Sequence, residues 1–302
     1  MSGEMDESYV VVIVTYNRIK LLKECMECVV RQSVKPKRVI VIDNASSDGT
    51  ATLLDEAAAK DKLWKICHCE QNHGGAGGFA RGIEEALQIE ADWVLVIDDD
   101  AMLETTYVEK ILEKQKEYPM CKALAGTVQT AGKIDLFHRR DRSRIGMFFR
   151  KKKKEEYEKE IFFCDMASFC GLCLSAGLLR EIGLPHAEYF IWHDDTEYSI
   201  RIRKHSRIMV VPEAVLEHKT VLVQGKHPRR YTDKDYYAIR NRIRYLREHG
   251  TSVDMLLNRV DIFLRMQLRN WLFSVWRADG YDWQKEKEIV KRAIEDSKGD
   301  IT

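Results

Sequence analysis

The sequence has 302 residues, 45% of them hydrophobic and 32% charged, a composition typical of globular rather than disordered chains. Lysine and arginine number 49 and aspartate and glutamate 48, so no bulk excess of positive charge indicates nucleic acid as a partner.

Membrane and redox signals are weak in this sequence. The longest uncharged apolar stretch, residues 166–179, has 14 residues, short of the roughly 20 that span a bilayer. The first ten residues are acidic, unlike the basic start of a secretory signal. We therefore expect a cytoplasmic protein without a transmembrane helix, whose eight scattered cysteines are mostly reduced and buried.

Strand-like and helix-like segments alternate over the first 130 residues. Apolar runs at residues 10–14, 38–42, 65–69 and 93–97 predict four strands, and apolar residues recur at helical spacing between them. Continuous apolar runs are typical of strands that are covered on both faces. The alternation predicts an α/β fold, with a mainly parallel sheet flanked by helices and joined by right-handed crossovers.

The pattern is less regular further along the chain. Residues 139–154 hold nine Lys or Arg and one acid, which favours a solvated loop and leaves open a basic flap over a phosphate or an anionic membrane. Further elements are predicted at residues 161–167, 175–182, 196–205 and 208–211. The last 70 residues are predicted to be helical, with an apolar stripe from Leu256 to Val275.

Ligands of open parallel sheets bind outside the carboxyl ends of the strands, so the residues that follow the predicted strands are candidates for a site. These candidates are Thr15, Asn17, Arg18, Asp43, Asn44, residues 72–78, Asp98, Asp99 and Asp100. Alternation along the chain puts Asp98 and Asp100 on one side, where two carboxylates can hold a hard cation that binds phosphate oxygens. Three uncompensated carboxylates at the end of a buried strand cost folding free energy, which disfavours the alternative that these residues form only an acidic surface turn.

A glycine-rich loop is predicted over residues 72–78. Gly74, Gly75 and Gly78 let the backbone approach a ligand and lead into a helix N-terminus that suits an anion. Residues 75–80 also fit the relaxed dinucleotide fingerprint GxGxxA, which raises a nicotinamide-dependent oxidoreductase as an alternative. That fingerprint belongs to the turn after the first strand, so its position after the third strand disfavours the alternative.

A second acidic motif, Trp192, His193, Asp194 and Asp195, opens a predicted helix. Capping of the helix N-terminus explains one aspartate but not two that lie beside a histidine and follow several aromatic residues. Aromatic rings can stack on the apolar faces of sugars, and a carboxylate can take the proton from an attacking hydroxyl as a general base. His218 follows the last predicted strand and is either structural or part of a metal site.

In their order and spacing, the motifs at residues 15–18, 43–46, 98–100 and 192–195 resemble inverting glycosyltransferases of family 2. The segment from Asn72 to Gly82 is most similar to the bacterial galactofuranosyltransferase and rhamnosyltransferase branch. The resemblance covers about residues 9–220 and implies the GT-A fold, a Rossmann-like sheet flanked by helices. It implies a nucleotide-sugar-binding and catalytic domain over residues 1–220, with a helical region over residues 221–302 for acceptor, oligomer or membrane-surface contacts.

The resemblance also implies a role for each candidate residue. The nucleotide-sugar pocket would include Arg18 and Asp43 at the nucleobase, with Thr15, Asn17, Asn44, Asn72, Gly74, Gly75, Gly78, Asp98 and Asp99. The metal, Mn2+ or Mg2+, would be held by Asp98, Asp100 and His218. Asp195 would be the general base with Asp194 beside it, and Trp192 and His193 would lie at the acceptor site. The role of His193 is open, because that position varies in the family.

The implied reaction is metal-dependent, inverting transfer of a sugar from a UDP- or dTDP-linked donor, such as galactofuranose or rhamnose. The acceptor would be a hydroxyl of a glycan or lipid-linked glycan in cell-surface polysaccharide synthesis, at the inner face of the plasma membrane. Two alternatives stay open, a nucleotidyltransferase acting on a sugar phosphate and a non-catalytic nucleotide-sugar-binding protein. We interpret the C-terminal apolar stripe as core or a dimer face, with an interfacial membrane helix as the alternative.

Overall fold

The computed structural model describes residues 7–220, 230–276 and 282–299. The strands in these ranges are β1 (Tyr9–Thr15), β2 (Arg38–Asp43), β3 (Trp64–His68), β4 (Trp93–Asp98), β5 (Ala101–Leu103), β6 (Ala123–Thr130), β7 (Lys133–Ile134), β8 (Arg139–Arg142), β9 (Phe149–Lys151), β10 (Phe162–Cys164), β11 (Met166–Ala167), β12 (Leu172–Ser175) and β13 (Ile208–His218). The α-helices are α1 (Ile19–Val30), α2 (Thr50–Lys60), α3 (Gly74–Leu87), α4 (Tyr107–Glu117), α5 (Ala176–Ile182), α6 (Asp194–His205), α7 (Asp233–His249), α8 (Ser252–Trp276) and α9 (Trp283–Asp296).

One large sheet organises the first 220 residues. Its main strand order is β10, β13, β6, β12, β4, β1, β2, β3, and β4, β1, β2 and β3 run parallel to their neighbours in this half. The predicted helix-flanked and mostly parallel sheet is confirmed, with antiparallel members such as β12, which lies between β4 and β6. The register sets Thr15 opposite Asp43 and Val14 opposite Asp98, so three strand ends lie at the same edge.

Helices cover both faces of this sheet, which explains why its central strands are continuous apolar runs. Every residue of β1 is buried. One face packs against α1 and α4 through residues such as Leu22 and Ile111, and the other packs against α3 and α6 through residues such as Phe79 and Ile202.

Two segments differ from their predicted form. Residues 139–154, predicted as a solvated loop, include β8 and β9 of a three-stranded antiparallel sheet with β11. Within it Arg139 is fully buried and donates to three backbone carbonyls, a role that a charge count does not indicate. Strand β13 is longer than the predicted 208–211, because it continues beyond Pro212 across a register shift.

The C-terminal region is helical in its described parts, as predicted. A capping box between Thr232 and Asp235 begins α7. None of the helices in the described ranges is long and apolar enough to cross a membrane. All eight cysteines are free thiols, five of them buried, in line with the sequence.

The interpretation of the C-terminal apolar stripe as core is wrong for most of its members. Its exposed residues include Leu256, Val260, Leu264, Leu268 and Val275. The helix turns a different face inward, on which Asn258, Met266 and Phe273 are buried. Periodicity alone identifies an apolar face but not the surface that covers it.

The contact between α3 and β1 predicts a stability difference between two glycines. A Cβ at Gly82 would lie 2.2 Å from Val12 Cγ1, whereas a Cβ at Gly75 would meet nothing within 4 Å. We expect Gly82→Ala to destabilise the fold by about 1–3 kcal/mol through overpacking, and Gly75→Ala to stabilise it by up to ~1 kcal/mol through helix propensity. Urea titration of the two variants measures both; equal effects would contradict this packing.

Candidate active site

The aspartates at the end of β4 contact residues from the ends of two other strands. Asp99 accepts a hydrogen bond from the Thr15 hydroxyl at 2.8 Å, and Arg18 Nη1 bridges Asp99 at 3.2 Å and Asp100 at 2.7 Å. His218 Nε2, at the end of β13, lies 3.2 Å from Asp100 Oδ1. The sheet therefore brings together Thr15, Arg18, the aspartates and His218 from three separate chain segments.

Burial shapes the charge of these carboxylates. It raises the pKa of Asp98 to about 7, with a further contribution from Asp100, and raises the pKa of Asp99 to about 6 despite the hydrogen bond from Thr15. Burial acts in the same direction on Asp100, but His218 and Arg18 hold the pKa of Asp100 below its ordinary value. Asp100 is therefore the most readily ionised of the three.

Potential metal ligands cluster at this edge of the sheet. Asp98, Cys170 and His218 each offer a ligand atom, and these atoms all lie within 4.8 Å of one another. Among the described residues, His218 Nδ1 is buried without a hydrogen-bond partner, and buried Asp100 Oδ1 meets only His218 Nε2, at 3.2 Å. Cys170 was not predicted; burial raises its pKa well above the ordinary value, and hard cations prefer the oxygen ligands.

The loops after β1 and β2 are tied to each other beside this cluster. The Asn17 side chain accepts a hydrogen bond from the Ser47 backbone N–H at 2.7 Å, and the Asn17 backbone N–H donates to the Ser46 hydroxyl. Asp43 is buried, accepts from the Ser46 N–H and contacts His68 Nδ1 at 3.0 Å. Asp43 thus supports the loop, and Arg18, the other predicted nucleobase contact, is paired with Asp99 and Asp100.

The glycine segment is helical rather than a loop, which corrects the prediction for residues 74–78. Helix α3 begins at Gly74, whose N–H donates to Asn72 Oδ1 at 2.8 Å and whose carbonyl accepts from Asn44 Nδ2 at 2.8 Å. The glycines serve close packing: a Cβ at Gly78 would lie 2.4 Å from Val14 Cγ1, and one at Gly74, with φ +71°, would lie 2.0 Å from the Phe190 carbonyl oxygen.

A strained loop leads to the second acidic motif. Phe190, Trp192 and His193 all have positive φ values between 63° and 69°, a conformation that costs of order 1–3 kcal/mol for each non-glycine residue. Asn241 of α7 holds this loop, because its Nδ2 lies within 3.0 Å of the carbonyl oxygens of Tyr189, Ile191 and Trp192. No pattern in the sequence indicates this role for Asn241.

Asp194 and Asp195 occupy the first turn of α6. Burial and the neighbouring Asp195 raise the pKa of Asp194 to about 8, and the charge of Asp98 contributes to this rise. Burial also raises the pKa of Asp195, whereas Arg140 and a hydrogen bond from Thr196 oppose that rise. The charge of Asp98 therefore reaches Asp194, so the two acidic motifs lie near each other.

His193 is a neutral packing residue in this arrangement. Burial, together with the nearby cations Arg140 and Arg242, lowers its pKa to about 3. Its ring packs edge-on against Tyr245 of α7, with ring centres 5.4 Å apart. Trp192 is partly exposed and meets Phe137 edge-on at 6.4 Å.

A cavity of about 480 Å³ opens beside Asp195. Trp192 and Arg140 line it on the side of the sheet, and α7 and α8 contribute Arg242 and Ile262. Arg140 belongs to the basic run of residues 139–154, which the sequence predicted as a solvated loop or a basic flap. The C-terminal helices thus form one wall of the space in front of Asp195.

Comparison with known proteins gives a consistent family. The profile of Glycosyl transferase family 2 matches residues 10–172. The chain is 26% identical to the galactofuranosyltransferase GlfT1 of Mycobacterium tuberculosis, over 95% of this chain and 97% of that protein. It is also 26% identical to the uncharacterized glycosyltransferase YwdF of Bacillus subtilis, over 67% of this chain and 70% of that protein.

Solved structures share the fold at low identity. GalNAc-T7, crystallised with UDP, GalNAc and Mn2+, superposes with a TM-score of 0.66 at 15% identity, over 97% of this chain but only 55% of that one. Residues 1–349 of S. aureus TarS, in complex with UDP-GlcNAc, superpose with a TM-score of 0.58 at 17% identity, over 96% of this chain and 80% of that one.

The buried Asp194 carboxyl predicts a pH-dependent stability. A folded pKa of about 8 against about 3.9 in an unfolded chain means that the folded state loses stability as pH rises from about 4 to about 8. Asp194→Asn removes this loss, so its melting temperature should exceed that of the wild type by more at about pH 8 than at about pH 5. Asp233→Asn, at an 89% exposed side chain, is the control; a pH-independent difference for Asp194→Asn would contradict the burial.

Proposed function

This chain belongs to glycosyl transferase family 2, and on that premise we propose that it transfers a sugar from a nucleoside-diphosphate sugar to a hydroxyl group, with inversion at the anomeric carbon. One observation carries the proposal: the acidic cluster at the end of β4 and the Asp194–Asp195 pair lie close together. His218 packs against His138 with ring centres 5.1 Å apart, the adjacent Phe137 meets Trp192 at 6.4 Å, and the charge of Asp98 reaches Asp194. Inverting transfer needs a leaving-group site and a base on opposite sides of the sugar.

The donor is proposed to lie along the edge formed by β1, β2 and the start of α3. Gly75 leaves open space beside the helix N-terminus, and a helix N-terminus favours the negative charge of a diphosphate. Thr15, Asn17, Asn44, Asn72 and Asp99 build the loops around this space. The proposed donor is a UDP- or dTDP-linked galactofuranose or rhamnose, of which galactofuranose is supported by the similarity to the galactofuranosyltransferase GlfT1. The proposed role is in cell-surface polysaccharide synthesis.

A divalent cation, Mn2+ or Mg2+, fits the cluster of Asp98, Asp100 and His218. Among the described residues, buried His218 Nδ1 has no hydrogen-bond partner and Asp100 Oδ1 meets only His218 Nε2, so a cation and its bound water can satisfy these polar groups. When bound there, the ion supplies the positive charge that stabilises a departing diphosphate. Arg18, which contacts both Asp99 and Asp100, orients these carboxylates.

Asp195 is proposed as the general base. Two coupled acids whose environments differ can divide the roles of proton donor and acceptor, and Arg140 and Thr196 favour the ionised form of Asp195. Asp194, whose pKa is raised to about 8, retains its proton near neutral pH. His193 is a weaker candidate for the base because its pKa is lowered to about 3 and its ring packs on Tyr245. The base takes the proton of the acceptor hydroxyl as that oxygen attacks the anomeric carbon.

The other functions that the sequence left open have less support. Nucleotidyl transfer and nicotinamide-dependent redox chemistry do not use an acidic pair like Asp194 and Asp195, and family membership favours glycosyl transfer. A binding protein without turnover has no use for the strain of residues 190–193, which holds the acidic pair at the cavity.

Replacement of Asp195 tests the assignment of the base. Asp195→Asn should lower the release of nucleoside diphosphate in the presence of acceptor by on the order of 100- to 10,000-fold. Donor binding, measured by calorimetry, should remain, because the side chain faces the acceptor cavity. Asp233→Asn is the control, and turnover near that of the wild type for Asp195→Asn would overturn the assignment.

A thermal-shift experiment tests the metal and the nucleotide together. UDP or dTDP at about 100 times its Kd should stabilise the protein by ~2.7 kcal/mol, and only with Mn2+ or Mg2+ present. Asp100→Asn and His218→Ala should lose the metal-dependent part, whereas His205→Ala, at a surface residue paired with Glu181, should retain it. Equal stabilisation without metal, or stabilisation by nicotinamide dinucleotides, would contradict the proposal.

A further inference from the structure

Helix α8 presents a long apolar surface to solvent. We define its outer face as the eight large apolar residues Val253, Leu256, Val260, Phe263, Leu264, Leu268, Trp271 and Val275, each between 44% and 60% exposed. They recur at spacings of three or four residues, with Phe263 and Leu264 adjacent, along a helix of 25 residues. Contiguous exposed apolar patches of this extent are rare on soluble monomers and mark interaction sites.

On α8 itself, the exposed charge beside the outer face is positive. The acids of α8, Asp254 and Asp261, are both engaged: Asp254 accepts from Thr251 and Gly146, and Asp261 pairs with Arg242 and Arg265. Arg259 is exposed among the apolar residues. Among its described side chains, the outer side of α8 therefore carries positive charge and no exposed carboxylate.

A basic hairpin continues this surface. Residues 142–154, called here the basic hairpin, expose six cations, namely Arg142, Arg144, Arg150, Lys151, Lys153 and Lys154. Its tip also exposes Ile145 at 65%. The Gly146 N–H donates to Asp254 Oδ1 at 2.7 Å, and a Cβ at Gly146 would lie 3.3 Å from Leu257 Cδ1. The hairpin tip is thus fixed to the first turn of α8.

The acids near the hairpin offset only part of this charge: Glu155 and Glu158, directly after it, are exposed, against six exposed cations. Lys152 pairs with Asp141, and Glu156 pairs with Lys152 and Lys159. None of the six exposed cations forms an ion pair within 4.0 Å among the residues that the structure describes. Their charge is therefore available to an anionic partner.

We propose that the outer face of α8 and the basic hairpin together bind the surface of an anionic lipid bilayer. An apolar face flanked by Lys and Arg is the pattern of helices that lie in the membrane interface, and clustered cations add attraction to anionic headgroups. A second copy of the chain is a poorer occupant, because an apolar contact between two copies would make no use of the exposed cations of the basic hairpin.

This surface has a functional consequence for the cavity beside Asp195. The inner face of α8 contributes Asn258, Ile262 and Met266 to that cavity, while its outer face would lie on the membrane. One helix therefore separates the proposed acceptor cavity from the bilayer surface. The membrane proposal itself does not depend on the transferase activity, and its test does not measure turnover.

Vesicle flotation of the full chain tests the proposal. The protein should float with vesicles of phosphatidylcholine and phosphatidylglycerol at low salt, and should float less as the salt concentration rises, because screening weakens the attraction. It should bind vesicles of phosphatidylcholine alone much more weakly. No flotation with anionic vesicles at low salt would overturn the proposal, as would equal binding to both vesicle types.

Two pairs of variants separate the two parts of the surface. Leu264→Glu combined with Trp271→Glu should abolish flotation, whereas Met120→Glu, at an 82% exposed apolar residue outside α8, should not. Arg144→Gln combined with Arg150→Gln should weaken binding to anionic vesicles about 10- to 30-fold, whereas Lys60→Gln combined with Lys62→Gln should leave it unchanged. Loss of binding in the controls as well would contradict the assigned surface.

Light scattering distinguishes the competing occupant. All substituted side chains are exposed, so melting temperatures close to that of the wild type should accompany the lost flotation. A wild-type dimer that Leu264→Glu and Trp271→Glu convert to a monomer, without vesicle binding by the wild type, would assign the outer face to a second copy and overturn the membrane proposal.

Discussion

Crowding of negative charge in a desolvated cleft is the constraint on which this structure depends. Burial acts against ionisation of five neighbouring carboxylates, Asp98, Asp99, Asp100, Asp194 and Asp195. The fold opposes it with cations from distant segments: Arg18 follows β1, His218 ends β13 and Arg140 lies on β8. Each contact joins elements far apart in sequence, so the acidic site can exist only when the sheet is complete. Among the described residues, His218 Nδ1 has no hydrogen-bond partner and Asp100 Oδ1 meets only His218 Nε2, which fits the proposed cation.

The C-terminal helices complete the site rather than merely following it. Asn241 and Arg240 of α7 donate to carbonyl groups of the loop that precedes Asp194. These hydrogen bonds compensate for the positive φ values of three of the four residues at 190–193, a conformation that non-glycine residues disfavour. The orientation of the acidic pair is therefore a property of the packing between α6 and α7. Residues 221–302 cannot be regarded as independent of the proposed chemistry.

Helix α8 combines two surfaces of different character. Its inward side, with Asp254 and Asn258 buried, closes the cavity beside Asp195, and its outer face is apolar and flanked by cations. A helix that buries polar residues and exposes an apolar face departs from the usual pattern of a globular protein. A bilayer surface as the partner of the outer face accounts for this exposed apolar face and would hold the acceptor cavity close to lipid.

The sequence by itself determined the order of strands and helices, the covered central sheet and the family, because continuous apolar runs and strand-end motifs are local signals. It also identified the acids at the ends of β4 and at the start of α6. Only the tertiary structure decided that residues 74–78 are helical. Their glycines allow close packing against Val14 and Phe190 rather than a flexible loop. Likewise, the helical period located the stripe on α8 but could not say whether protein covers it. Asn241, Arg140 and Cys170 reach the site through contacts between segments dozens of residues apart, and no local pattern records such contacts.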